Sequence, residues 1–62
     1  QIKAVRRKTG LSQSRFAARL QINPATIRNW EQGRTRPDGA ALALLTVIDR
    51  EPKTVMRALI DA

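Results

Sequence analysis

Residues 12–33, SQSRFAARLQINPATIRNWEQG, constrain the chain most, because cap residues, apolar spacing and turn residues divide them into two short helices joined by a tight turn. Ser12 is placed to cap the first helix, Phe16 and Leu20 mark its buried stripe, and the small Ala17 between them lets a second helix cross closely. Asn23 caps the second helix and Pro24 takes its first position, where a missing N–H costs nothing; Gly33 closes it. Ile27 and Trp30 share one face of this helix, while Ala25, Arg28, Asn29 and Gln32 share the other at spacings of three, four and seven. One face packs, and the other is free to read base edges in a DNA major groove.

The net charge of +7 is unevenly placed. Residues 1–36 carry nine basic side chains (Lys3, Arg6, Arg7, Lys8, Arg15, Arg19, Arg28, Arg34 and Arg36) against the single acid Glu31, a net of +8. From residue 37 onward, Arg50, Lys53 and Arg57 face Asp38, Asp49, Glu51 and Asp61, and leucine and alanine dominate. A polyanion-facing half is thus joined to a packing half.

A chain of 62 residues holds one small domain, expected over 1–62, that buries only about 60% of the surface its unfolded chain exposes. Oligomerisation would support it. With no cysteine and no histidine, and with five scattered carboxylates, neither a zinc site nor an acid/base pair can be assembled. No catalytic residue, metal or cofactor is expected. No stretch approaches the roughly 20 apolar residues of a membrane span, and no signal peptide is recognisable, so a soluble cytoplasmic protein is expected. The first residue, Gln1, is not methionine, which fits a fragment of a slightly longer chain.

The pattern predicts an all-α bundle of five helices: Ile2–Lys8, ended by Gly10; Gln13–Leu20; Pro24–Gln32; Gly39–Asp49, capped by Asp38; and a fifth from Pro52. The expected core is Val5, Phe16, Leu20, Ile22, Ile27, Trp30, Leu42 and Leu45, with Ile48 also able to face it. Leu44 and Val47 point elsewhere on helix 4, and helix 5 presents Val55, Met56, Leu59 and Ile60. These surplus apolar residues suggest a homodimer joined through Leu44, Val47, Met56, Leu59 and Ile60.

The segments GLSQSRFAARL and NPATIRNWEQGRTRP resemble the helix-turn-helix domain, lambda-repressor-like, shared by phage-type repressors and many bacterial antitoxins. NWEQGRTRPDG followed by LALLTVIDREPKTVMRAL is most similar to the DNA-binding domain of HigA-type and MqsA-type antitoxins. The resemblance covers nearly the whole chain. The family commonly has glycine where Gln21 stands, because that turn residue is left-handed; a side chain there costs on the order of 1 kcal/mol. The resemblance further implies that Arg6 meets Glu31, holding helix 1 against helix 3, and that Gln13, with the N-terminus of helix 2, holds a phosphate. The other reading of Glu31 is a residue that merely lowers surface charge.

Arg28 and Asn29 are the leading candidates for base contacts, since arginine can bond guanine O6 and N7 together and asparagine adenine N6 and N7. Ordinary solvated surface is the alternative for both. Ala25 and Thr26 can supply methyl contacts to thymine or meet a phosphate. Asn23 and Gln32 at the ends of helix 3 are candidates for phosphates, as are Arg34 and Arg36 in the loop beyond it, whose other reading is a solvated basic loop. Trp30 reads as the main core residue under helix 3 rather than a base-stacking aromatic. Lys3, Arg7, Lys8, Arg15 and Arg19 form a general field.

By resemblance the chain is a repressor of its own toxin–antitoxin operon that also binds a cognate toxin, often an mRNA-cleaving ribonuclease. Two copies would set helix 3 in successive major grooves about 34 Å apart on a palindromic operator. Other readings are a toxin-neutralising module for which DNA is secondary, a phage-type regulator without a toxin, and a nonspecific polyanion binder.

Overall fold

Three polar side chains start three of the helices. The computed structural model describes residues 2–60, of residue 60 the backbone only, and in it Ser12 accepts from the Arg15 N–H, Asn23 from Ala25 and Asp38 from Ala41. The five helices are α1 (Ile2–Thr9), α2 (Gln13–Leu20), α3 (Pro24–Glu31), α4 (Gly39–Arg50) and α5 (Pro52–Ile60), with no strand among the described residues.

Two of the turns share one device. After α2, Gln21 is left-handed (φ 57°), its N–H donates to Ala18 O, and the Ile22 N–H reaches back to Ala17 O. After α3, Gly33 is left-handed (φ 75°), its N–H donates to Trp30 O, and Arg34 N–H donates to Asn29 O. Both are Schellman ends, the first with glutamine where glycine is cheaper.

Phe16, Ala17 and Ile27 are fully buried where α2 crosses α3, and Ala17 has the small side chain that lets the helices meet there. Val5, Leu20, Leu45, Ile48 and Met56 complete the core. Helix α1 is the hub: it packs on α2, α3, α4 and α5, whereas α3 packs only on α1 and α2, and α4 only on α1 and α5.

Several expected positions move. Met56 is only 7% exposed and lies in the core, so it is not an interface residue. Leu44 and Leu59 are partly buried and pack against the core, which removes most of their surface from any second copy. The side chain of Ile60 lies outside the described residues. Leu42, expected inside, is 53% exposed, and Val47 is 50% exposed. The reason is the rotation of α4: its inward stripe is Ala41, Leu44, Leu45 and Ile48. At about 100° per residue, Leu42 and Val47 fall roughly 110° to either side of that stripe's centre. Trp30 and Ile22 are partly buried beside the core, and Ile27 takes the central place under α3 that Trp30 was expected to hold.

Candidate nucleic-acid interface

The outward face of α3 is set by one carboxylate. Glu31 ends α3, where an acid meets the negative end of the helix dipole and needs compensation. Arg6 of α1 supplies it with a two-pronged contact, Nε to Oε2 at 2.6 Å and Nη2 to Oε1 at 3.2 Å. Gln13 of α2 donates from Nε2 to Oε1 at 3.0 Å, and Arg6 Nη1 donates to Leu11 O in the α1–α2 joint at 2.9 Å. One side chain therefore fixes α3 against α1 and α2 together. Its side chain is 4% exposed and that of Arg6 14%. The Arg6 hydrogen bonds hold the Glu31 carboxyl below the usual carboxylate range despite burial, with the Gln13 amide helping, and raise the Arg6 guanidinium in turn.

The fork geometry removes the reading of Glu31 as loose surface charge. Gln13 is more committed than expected for a phosphate ligand, since one hydrogen of its amide is given to Glu31. The other remains.

Elsewhere on α3, Arg28 is exposed, with Ala25, Thr26 and Asn29 half-buried. Asn23 and Gln32 are exposed at its two ends, and Arg34 and Arg36 are exposed in the following loop. The Asn23 side-chain oxygen is spent on capping, leaving its amide N–H groups outward. Among the described residues, none of Arg28, Arg34 and Arg36 has a carboxylate partner.

The basic residues consequently split into two sets. Arg6 is neutralised by Glu31, Lys8 by Asp49 of α4 at 2.6 Å, and Arg19 donates to Met56 O at 3.4 Å. Lys8 and Arg19 thus serve contacts within the fold, where a general field was expected. Nothing in the sequence marks the Lys8–Asp49 pairing, whose members lie 41 residues apart. Of the other cations, Arg28, Arg34 and Arg36 stand on and just beyond α3, while Lys3, Arg7, Arg15, Arg50, Lys53 and Arg57 are exposed on the other helices, likewise without a carboxylate partner among the described residues. Among the described residues, no cluster of three or more His, Cys, Asp or Glu could hold a metal, and no helix is long and apolar enough to cross a membrane.

Comparisons with known proteins follow the same outline. The helix-turn-helix family model matches residues 2–47. Antitoxin HigA-2 of Vibrio cholerae is 38% identical over 55 residues, covering 89% of this chain and 53% of that protein. An uncharacterized HTH-type transcriptional regulator of Escherichia coli, YiaG, is 35% identical over 52 residues, 84% of this chain and 54% of its own. The chain spans about half the length of these curated relatives. No solved structure matches it significantly.

Proposed function

The chain belongs to the helix-turn-helix family, and from that premise we propose that it is a sequence-specific double-stranded DNA-binding repressor, the antitoxin of a toxin–antitoxin pair that controls its own operon. The observation that carries the DNA reading is the outward side of α3 within a helix-turn-helix fold: exposed Arg28 on it, and exposed Arg34 and Arg36 just beyond it, have no carboxylate partner among the described residues. Arg28 and Asn29 read base edges, with Ala25 and Thr26 in apolar contact near the helix start. Asn23, Gln32, Arg34 and Arg36 hold the phosphates that flank the groove, and Gln13 offers them its second amide hydrogen while the first stays on Glu31. Two copies bind a palindrome, and a cognate toxin is the protein partner.

The likeness to YiaG favours a second reading, a transcriptional regulator without a toxin. Co-expression with the product of the adjacent gene separates the two: rescue of growth supports the antitoxin, and a neighbour that is harmless on its own favours the plain regulator.

Selection of duplexes from a random library at about 150 mM salt tests the DNA reading itself. The expected result is a two-fold symmetric consensus that loses defined positions with Arg28→Ala and Asn29→Ala. Absence of any consensus, with both variants indistinguishable from the parent, overturns it.

A further inference from the structure

We propose that the groove between the end of α1 and the start of α5 docks an acidic segment of a partner protein, which sets carboxylates on its cationic rim and one apolar side chain on its floor. The site is separate from α3 and goes beyond the DNA reading.

The groove measures about 310 Å³ and is lined by Lys8, Thr9, Pro52, Lys53, Met56 and Arg57. Lys53, Met56 and Arg57 share one face of α5 at spacings of three and four, and α1 packs on that helix. Half-buried Pro52 and buried Met56 make the floor. Arg19 of α2 donates to Met56 O, which holds this turn of α5 in place beneath the groove.

Three cations stand around the floor, and no carboxylate lines it. Lys53 and Arg57 are exposed and have no acidic partner among the described residues. Lys8 gives two hydrogens of its ammonium to Asp49, one to Oδ1 and one to the backbone O, and keeps a third for a ligand. Glu51, in the α4–α5 joint, is exposed and forms no ion pair with either free cation.

Charge complementarity selects an acidic occupant. Lysine and arginine side chains only donate, and the Thr9 hydroxyl is engaged at the end of α1, donating to Arg6 O and accepting from the Leu11 N–H. The occupant therefore brings the acceptors. The floor adds a second requirement, because Pro52, Met56 and the aliphatic stems of Lys53 and Arg57 gain only from apolar contact. A nucleic-acid backbone satisfies the cations and leaves the floor empty. A free small ligand is held where most of its surface is enclosed, which a groove open between two helices does not do. An acidic peptide with an apolar residue meets both requirements, and arginine and methionine suit such a surface. Neither α3 nor the loop beyond it lines the groove, so the recognition face stays free when the peptide is bound.

Fluorescence anisotropy tests the proposal with a labelled peptide in which one phenylalanine is flanked by glutamates, at about 150 mM salt, and circular dichroism verifies that each variant folds. Saturable binding is expected, weakened about tenfold by Lys53→Glu and by Arg57→Glu, and changed less than about twofold by Lys3→Glu, the same charge change on α1 away from the groove. Replacing the peptide's phenylalanine with serine should weaken binding about fivefold or more. Equal losses in all three variants mean that the overall positive field attracts the peptide, and they overturn the proposal. So does a single-stranded oligonucleotide that binds as tightly with the same dependence on Lys53 and Arg57, or an absence of binding at millimolar peptide. A parent that selects a DNA consensus but binds no peptide refutes the groove and leaves the DNA reading standing; groove-dependent peptide binding with no DNA consensus does the reverse.

Discussion

Helices α3 and α4 are both surface helices held from one side by α1, and they present opposite chemistry outward. Helix α3 shows Arg28, with exposed Arg34 and Arg36 just beyond its end, whereas α4 shows Leu42, Ala43 and Val47. Their ties to α1 differ in the same sense. Arg6 reaches α3 through a forked pair whose carboxylate is nearly closed off from solvent, and Lys8, two residues on, reaches α4 through a pair about half exposed on both sides. The helix we propose to present side chains to DNA is locked in orientation by a buried charge. A helix whose outward face is apolar is held by its own buried stripe, Leu45 and Ile48, and needs no such lock.

The largest way to break this contrast is to remove the anchor of α3. Ile27 is fully buried, and Ile27→Ala should cost roughly 2 to 5 kcal/mol, a large share of the stability of a domain this small. Leu42→Ala on the exposed flank of α4 should stay within about 0.5 kcal/mol in the monomer. Urea midpoints measured at a concentration where the chain is monomeric check both; comparable losses would mean that the two helices are anchored alike.

Next comes the lock itself. Glu31→Gln keeps the shape but leaves Arg6 charged and largely buried without its counter-ion, at an expected cost of roughly 2 to 3 kcal/mol. The carboxyl is depressed in the folded state, so its stabilisation is complete above its unfolded pKa, near 4.3, and is lost as the pH falls through the lower folded value. The parent should therefore lose stability on acidification below about pH 4.5, and Glu31→Gln should lose less over the same window. Parallel pH profiles from about pH 3 to 7 would exclude Glu31 as the carboxylate responsible.

Much of this was legible in the sequence because local chemistry decides it. Ser12, Asn23 and Asp38 are caps by residue type and place, Pro24 starts a helix, and Gly10 and Gly33 sit at left-handed positions; the helix starts follow from these alone. The rotation of α4 was not legible. Apolar or small residues surround that helix, so periodicity offered more than one inward stripe, and only the positions of α1 and α5 chose Leu44, Leu45 and Ile48 over Leu42. Met56 escaped for the same reason, since a helix with Val55, Met56 and Leu59 does not say which of them the core will take. On α3, the exposure of Arg28 and Gln32 could be read from spacing, whereas Ala25 and Asn29 are half-buried, and Gln13's tie to Glu31 depends on how α2 crosses α3.

Gln21 offers a smaller test, in the turn that sets the α2–α3 crossing. Its φ of 57° favours glycine, and Gln21→Gly should raise stability by about 0.5 to 1 kcal/mol, the relief of the left-handed side chain exceeding the entropy of a more flexible unfolded chain. In a domain of this size that corresponds to a rise in melting temperature of a few degrees, about 2 to 8 °C. An unchanged or lower melting temperature would mean that the glutamine side chain stabilises the turn in a way that its geometry does not explain.

The smallest effect belongs to the exposed tie of α4. Lys8 and Asp49 are close enough for a strong contact, and the ammonium lowers the Asp49 carboxyl, yet both side chains stand about half in solvent, where salt screens the pair and water competes for each charge. Lys8→Ala should leave the urea midpoint of the monomer unchanged within measurement error, at low salt and at high salt alike. If it instead lowers the midpoint as far as Glu31→Gln does, α4 is locked to α1 by charge just as α3 is, and the division between a locked reading helix and a stripe-held apolar helix fails. If the loss appears only at low salt, the pair acts as a screened surface contact and the division holds.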